Sequence, residues 1–209
     1  MAPMSSAELR ADYTPADQDR LLAIACGSIR HGLEHGRAAP VSLDSLPASL
    51  AAKLASFVTL NTSAGQLRGC IGSLEAYRPL AEDVSQNAWA AAFRDPRFSP
   101  LQEHEFAGLD IHVSVLGSPE PVEFSSEQEL LSVIRPGVDG LILEDSAARG
   151  TFLPSVWESL PDPAMFIAHL KLKAGLPVDH WSDGLRIWRY TTQSFGKAAR
   201  EIPGEMAAT

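Results

Sequence analysis

Apolar positions along this chain change period several times, and each change marks an element. Leu22, Cys26, Ile29 and Leu33 recur at spacings of 4, 3 and 4, the stripe of an amphipathic helix. Thr14 stands before it as a cap, Pro15 takes its first position, and Asp17 and Asp19 face the helix dipole. The helix is predicted to run to about Gly36. Cys26 on its stripe reads as a small buried hydrophobe. Pro40–Lys53 reads as a loop with a short turn of helix. Ser56–Thr62 and Gln66–Ser73 are extended runs joined by Ser63-Ala64-Gly65, a hairpin signal with glycine available for a positive φ. A second helix opens at Pro79, with Glu82 and Asp83 in its first turn. Leu80, Val84, Ala88 and Ala91 form its inner stripe, whose small side chains predict close packing on a sheet.

Phe93–Gly108 carries two prolines and reads as an irregular connection. Leu109–Leu116 then alternates cleanly, with Leu109, Ile111, Val113 and Val115 on one face and Asp110, His112 and Ser114 on the other, as a half-buried strand does. From Gly117 to Pro163 the elements are short: a helix at Glu127–Ile134 and paired strands at Gly140–Glu144 and Gly150–Leu153. Ala164–Ala174 is a helix stopped by Gly175 and Pro177. Leu185–Thr192 is a last strand, expected to return to the main sheet. Strands interrupted by helices, with a hairpin among them, predict an α+β fold with a mainly antiparallel sheet and flanking helices.

Charge narrows the function classes. The net charge is −9 over 209 residues, and an acidic surface disfavours non-specific binding to nucleic acid or to anionic membranes. No apolar run approaches the roughly 18 residues of a membrane span, and Met1–Ala16 has neither the basic start nor the apolar stretch of a secretory signal. Two cysteines are too few for a disulfide framework and suit a reducing compartment. These readings together predict a cytoplasmic protein.

The segment richest in chemistry is Leu67-Arg68-Gly69-Cys70-Ile71-Gly72-Ser73. On a strand Leu67 and Ile71 would point into the core, and Arg68 and Cys70 would share the opposite face. A guanidinium beside a thiol favours the thiolate, the reactive form. Gly69 and Gly72 weaken a strand, which makes sense where something approaches the backbone closely or a bulge re-aims the cysteine. The competing reading is a structural cysteine on a glycine-rich strand under a helix. A nucleophile also needs a base, for which His112 is the candidate; a hydrogen-bonded edge histidine is the alternative.

Three further groups carry polar or titratable side chains in suggestive settings. In Asp95-Pro96-Arg97-Phe98, Arg97 either binds an anion or forms a structural salt bridge. Thr151, in the turn Arg149–Pro154, is either a polar ligand or a turn-forming residue. His31 and His35 stand at i,i+4, yet lack the acidic residue of a zinc protease helix. Solvated helix ends explain the pair, and no metal site is expected.

Taken in order, Leu67-Arg-Gly-Cys-Ile-Gly72, Phe93-Arg-Asp-Pro-Arg-Phe98, Ile111–Leu116, Gly140-Leu-Ile-Leu143, Gly150–Pro154 and Lys173-Ala-Gly-Leu-Pro177 resemble the AMMECR family, also called AmmeMemoRadiSam system protein A. The resemblance covers about residues 16–195. It implies a single domain, residues 14–195, of two unequal lobes with a cleft between them. The larger lobe would hold residues 14–117 and 164–195, the smaller 118–163, with flexible ends at 1–13 and 196–209. It also implies association with a Memo-like protein and a radical-SAM protein. The family pattern places an acidic residue where this chain has His112, so a Cys70–His112 dyad is no part of what the resemblance implies. Two readings stay open: an enzyme or carrier built on Cys70, with Arg68 and glycine amides around it, or a non-catalytic module whose 67–72 segment docks a protein or small ligand. The sequence names no cofactor and no oligomeric state.

Overall fold

The computed structural model describes residues 13–203. Among these it holds six α-helices and eight strands in two four-stranded sheets, an α+β fold, as the periodicities predict. The chain divides into two compact units, one comprising residues up to Leu116 together with those from Gln193 on, the other Gly117–Thr192.

In the first unit, helix α1 (Pro15–His35) begins as its sequence requires. Thr14 Oγ1 accepts from the Asp17 N–H, the Asp17 carboxylate answers the Thr14 N–H, and Gly36 ends the helix at φ +69°. Leu22, Cys26 and Ile29 are buried. A short helix α2 (Ala48–Ala51) leads to strands β1 (Ser56–Thr62) and β2 (Leu67–Gly72), whose turn takes Gly65 at φ +76°. Helix α3 (Leu80–Phe93) follows with Leu80, Val84, Ala88 and Ala91 buried. The connection after it contains one short helix, α4 (Glu103–Phe106). Strand β3 (Leu109–Leu116) buries Leu109, Ile111, Val113 and Val115, the alternation read from sequence.

The second unit contains β4 (Glu120–Val122), α5 (Glu127–Val133), β5 (Gly140–Asp145), β6 (Ala148–Phe152), α6 (Pro163–Lys173) and β7 (Arg186–Tyr190). Its sheet runs β4-β7-β5-β6, over a core centred on Leu141, Leu143, Trp157 and Phe166.

The boundary differs from the expected one. Residues 164–192 were expected in the larger lobe, but β7 pairs antiparallel with both β4 and β5, and Gly150 on β6 abuts Ala174 at the end of α6. The strand that returns to the first sheet is the next one, β8 (Thr192–Ala198), giving the order β2-β1-β3-β8. Residues 196–203 were expected to be a flexible end; they complete β8 and a 3-10 turn that buries Ala199 and Ile202 in the first core. Tyr13, expected to fray, is buried, and its N–H donates to Gln193 Oε1 at 2.8 Å. The expectations for residues 1–12 and 204–209 lie outside the described residues. Among the described residues no helix is long and apolar enough to cross a membrane.

Candidate functional site

The hairpin β1–β2 sets the site. Phe57 faces Gly72, Thr59 faces Cys70 and Leu60 faces Gly69, with a bulge between Leu60 and Asn61. Gly69 faces α3, and a Cβ there would lie 2.1 Å from the Ala91 carbonyl oxygen. The glycine therefore lets a helix backbone rest on the strand. Gly72 serves the other face, where a Cβ would meet the Phe57 ring at 2.2 Å. Both glycines that sequence reading offered as ligand-approach positions are filled by the protein itself. Leu67, expected in the core, is 42% exposed, whereas Ile71 packs against the core as expected.

Antiparallel strands alternate close and wide pairs, and this alternation decides which side chains meet. The Cys70 N–H donates to Asp95 Oδ2 at 2.9 Å and its carbonyl accepts from Arg97 Nη2 at 3.4 Å. Both groups thus point away from β1, so Cys70 and Thr59 form a close, non-hydrogen-bonded pair. Accordingly Thr59 Oγ1 donates to Cys70 Sγ at 3.3 Å. Thr59 also faces His112 on β3, in what must be a wide pair. His112 instead lies over Gly196 on β8, where a Cβ would come 2.3 Å from His112 Nδ1. Cys70 and His112 are two strands apart, about 10 Å at the usual strand spacing. The dyad that made His112 a candidate base is not assembled.

Arg68 does not attend the thiol either. Its Nε and Nη2 hold the two carboxylate oxygens of Glu105 at 2.8 and 3.0 Å, and Nη2 also donates to the Ser99 carbonyl at 3.0 Å. This bidentate pair pulls Glu105 down to about 2, the Arg68 hydrogen bonds outweighing the opposing effect of burial. Arg97 is likewise committed: Nε and Nη2 reach Asp95 at 2.9 and 2.7 Å. Asp95 is held well below the usual carboxylate range, chiefly by Arg97, with further bonds from the Cys70 and Arg97 backbone N–H groups opposing its burial. Of the two readings of Arg97, the salt bridge is the one formed. Thr151 is buried in the second sheet, donating to the Leu141 carbonyl at 2.9 Å and sharing a 3.2 Å bond with the Tyr190 hydroxyl. It is a packing residue, placed in the other unit from Cys70. His31 and His35 stack at 4.1 Å, and among the described residues no three His, Cys, Asp or Glu side chains gather as metal ligands would.

Sequence reading missed a buried polar network beside the motif. Asp83 is buried and accepts from the Ser56 N–H and hydroxyl at 2.9 and 2.7 Å, from Asn87 Nδ2 at 2.8 Å and from the Ser73 hydroxyl at 3.0 Å. The Ser73 N–H in turn donates to the Ser56 carbonyl. These bonds fasten the end of β2 and the start of β1 to α3. The signal was present: Asp83 and Asn87 sit at i,i+4 among Leu80, Val84, Ala88 and Ala91, on the buried stripe.

The arrangement is that of a small α+β protein whose motif strand is clamped by its own side chains. The sequence comparisons agree with the family those residues suggested: the AMMECR1 family model matches residues 22–195, and the chain belongs to the AMMECR1 family. It is 40% identical to a protein of Thermofilum pendens over 190 residues, covering 84% of this chain and 87% of that one. A protein of Methanothermobacter thermautotrophicus is 38% identical over 192 residues, 88% and 97% of the respective chains. The crystal structure of an uncharacterized protein from Pyrococcus horikoshii matches with a TM-score of 0.78 at 33% identity, covering 89% of this chain and 94% of that one.

Proposed function

We propose that this AMMECR1-family protein is a non-catalytic docking module, serving a modification system that also contains a Memo-like protein and a radical-SAM protein. The docking surface is the sheet face opposite α3, carrying Cys70, Thr59, His112 and Ser114. One observation carries this reading: the groups a Cys70 enzyme would need are already committed. The Cys70 amide is taken by Asp95, Arg68 by Glu105, and His112 stands over Gly196. An oxyanion site needs free donors aimed at the reacting atom, and a nucleophile needs its base within hydrogen-bond reach. The face itself offers half-exposed polar side chains on a rigid sheet, such as the Ser114–Ser194 hydroxyl pair at 2.8 Å.

A second reading keeps Cys70 as a covalent carrier. It is favoured by the Thr59 hydroxyl on Sγ and by the thiol being only half-buried, unlike Cys26. The two readings separate in a binding titration against the purified Memo-like and radical-SAM proteins of the same genome. Docking predicts that Ser114→Arg weakens binding at least tenfold while Cys70→Ser leaves it unchanged. If Cys70→Ser abolishes binding or product formation and Ser114→Arg does neither, the carrier reading replaces docking.

A further inference from the structure

Helix α6 is inverted relative to an ordinary surface helix, which buries its apolar side chains and exposes its lysines. It buries Lys171 completely, with the ammonium held by Glu127 Oε1 at 2.6 Å and by the Val178 carbonyl at 3.2 Å. On the side away from the core, Met165 and Leu172 are 50% and 53% exposed. Val178 and Trp181 are exposed too, so most of the exposed large apolar side chains among the described residues belong to α6 and the segment after it. Met165, Ala168 and Leu172 stand at i, i+3 and i+7, one stripe along the helix. Single apolar residues on a surface need no explanation, whereas a stripe in register does. At about 100° per residue, Asp162, His169 and Lys173 fall about 60°, 40° and 80° to one side of Met165. All three are exposed, so one flank of the stripe is polar from end to end. Asp162 marks its start, capping the helix through the Met165 N–H at 2.9 Å, and Lys173 marks its end, with the ammonium 5.0 Å from the Phe152 ring.

We propose that this stripe is covered by α6 of a second copy of the chain, lying antiparallel about a two-fold axis, the commonest symmetry of homodimers. Charge argues for that occupant and that direction. A two-fold axis between the helices keeps the polar flanks of both copies on the same side of the contact. With the axis midway between Ala168 and His169, Asp162 of one copy stands about 10 Å from the centre and Lys173 of the other about 7 Å, toward the same end. Each carboxylate thus neighbours an ammonium of the other copy, and the pair is made twice. A parallel pairing would set Asp162 against Asp162 and Lys173 against Lys173. The apolar side chains match in the same register. Met165 and Leu172 lie equally far from the centre, so each faces the other across the axis. Ala168 sits at the middle, where its small side chain lets the helix axes approach to about 8–9 Å. An interface built on one helix pair belongs to the small, weak class, formed in the micromolar range. It lies on the second unit and is independent of what docks on the sheet face of the first.

The test is analytical ultracentrifugation of the full-length protein over a concentration series, with circular dichroism to confirm that each variant is folded. The expected wild-type mass rises from monomer toward dimer as concentration increases. Leu172→Glu, at an exposed position outside the core, weakens the dimer roughly tenfold or more. Direction is read from a charge cycle on the flank. Lys173→Glu sets two carboxylates together and weakens the dimer roughly two- to fivefold. Asp162→Asn keeps the helix cap and removes its charge. It weakens the dimer in the wild-type background and strengthens it in the Lys173→Glu background. That reversal of sign requires the two side chains to meet across the interface. A wild type that stays monomeric throughout the series overturns the proposal, as does a dimer that Leu172→Glu leaves intact. A dimer in which Asp162→Asn has the same effect in both backgrounds overturns the antiparallel pairing.

Discussion

Gly69 separates a structural motif from a ligand-binding one, and Gly69→Ala measures the difference. An added methyl would lie 2.1 Å from the Ala91 carbonyl oxygen, 3.0 Å from the carbonyl carbon and 3.7 Å from Cα. Ordinary contact begins at 3.4 Å, so strand and helix must part by about 3.4 − 2.1 = 1.3 Å along that line. Both sides of the clash are backbone, so no rotamer change relieves it. The helix that must move buries Leu80, Val84 and Ala88, and its Asp83 and Asn87 are hydrogen-bonded into β1. Overpacking of a well-filled core costs about 1–3 kcal/mol, and a backbone clash belongs at the upper end, about 3 kcal/mol. In a protein of this size that lowers the melting temperature by about 6–12 °C. Gly72→Ala is the control. Its Cβ would also come close, at 2.2 Å, but to the half-buried Phe57 ring, which can turn aside for about 1 kcal/mol or less. Urea denaturation followed by circular dichroism reads both variants. If Gly69→Ala falls within about 0.5 kcal/mol of wild type, or below Gly72→Ala, then the helix does not rest on that strand and the glycine must be explained by a ligand.

The Arg68–Glu105 pair gives a pH-dependent stability. Glu105 is depressed to about 2 from an ordinary 4.5, so its contribution is fully present above pH 4.5 and is lost as the pH falls toward 2. The gap in melting temperature between wild type and Glu105→Gln should be constant near neutrality, worth about 1–2 kcal/mol after allowance for solvent screening, and should close across that window; a gap that widens on acidification contradicts the pairing. Lys171 is fully buried, with its ammonium 2.6 Å from Glu127 Oε1 and 3.2 Å from the Val178 carbonyl. Thermal melts should show Glu127→Ala, which strands that charge, costing about 2–3 kcal/mol, and Lys171→Met, which removes it, within about 1 kcal/mol of wild type; the reverse order would sink the argument. Finally, His112→Ala should leave the rate of Cys70 alkylation by iodoacetamide unchanged, whereas Thr59→Val should alter it. A several-fold drop in the histidine variant alone would restore the dyad.

The larger elements were legible because their periods are long and unambiguous. Thr14, Pro15 and Gly36 bracket α1, and the alternation of Leu109–Leu116 marks β3 from end to end. What failed was pairing at a distance. Leu185–Thr192 and the strand after it are both extended, and nothing local says which sheet each joins; Gln193, whose side chain binds the backbone of Tyr13, lies across that divide. Asp83 was legible as an acid in a first turn and illegible as the centre of a network, because its partners Ser56 and Ser73 come from other elements.

The candidate site shows the same limit more sharply. Alternation along each strand places Cys70, Thr59 and His112 on one face, and that much follows from sequence. Which of them touch depends on a second alternation, across strands, between close and wide pairs. Its phase is set by the edge contacts to Asp95 and Arg97, 25 and 27 residues beyond Cys70. With Cys70 turned outward, Thr59 must be its close neighbour, and His112 must find its own close neighbour on the far side, at Gly196. A motif that reads as cysteine, arginine and histidine around an open strand therefore folds into three separate pairings: Cys70 with Thr59, Arg68 with Glu105, and His112 with Gly196. The Arg68 guanidinium is thereby drawn to Glu105 and the His112 ring to Gly196, while the Thr59 hydroxyl alone stays on the thiol.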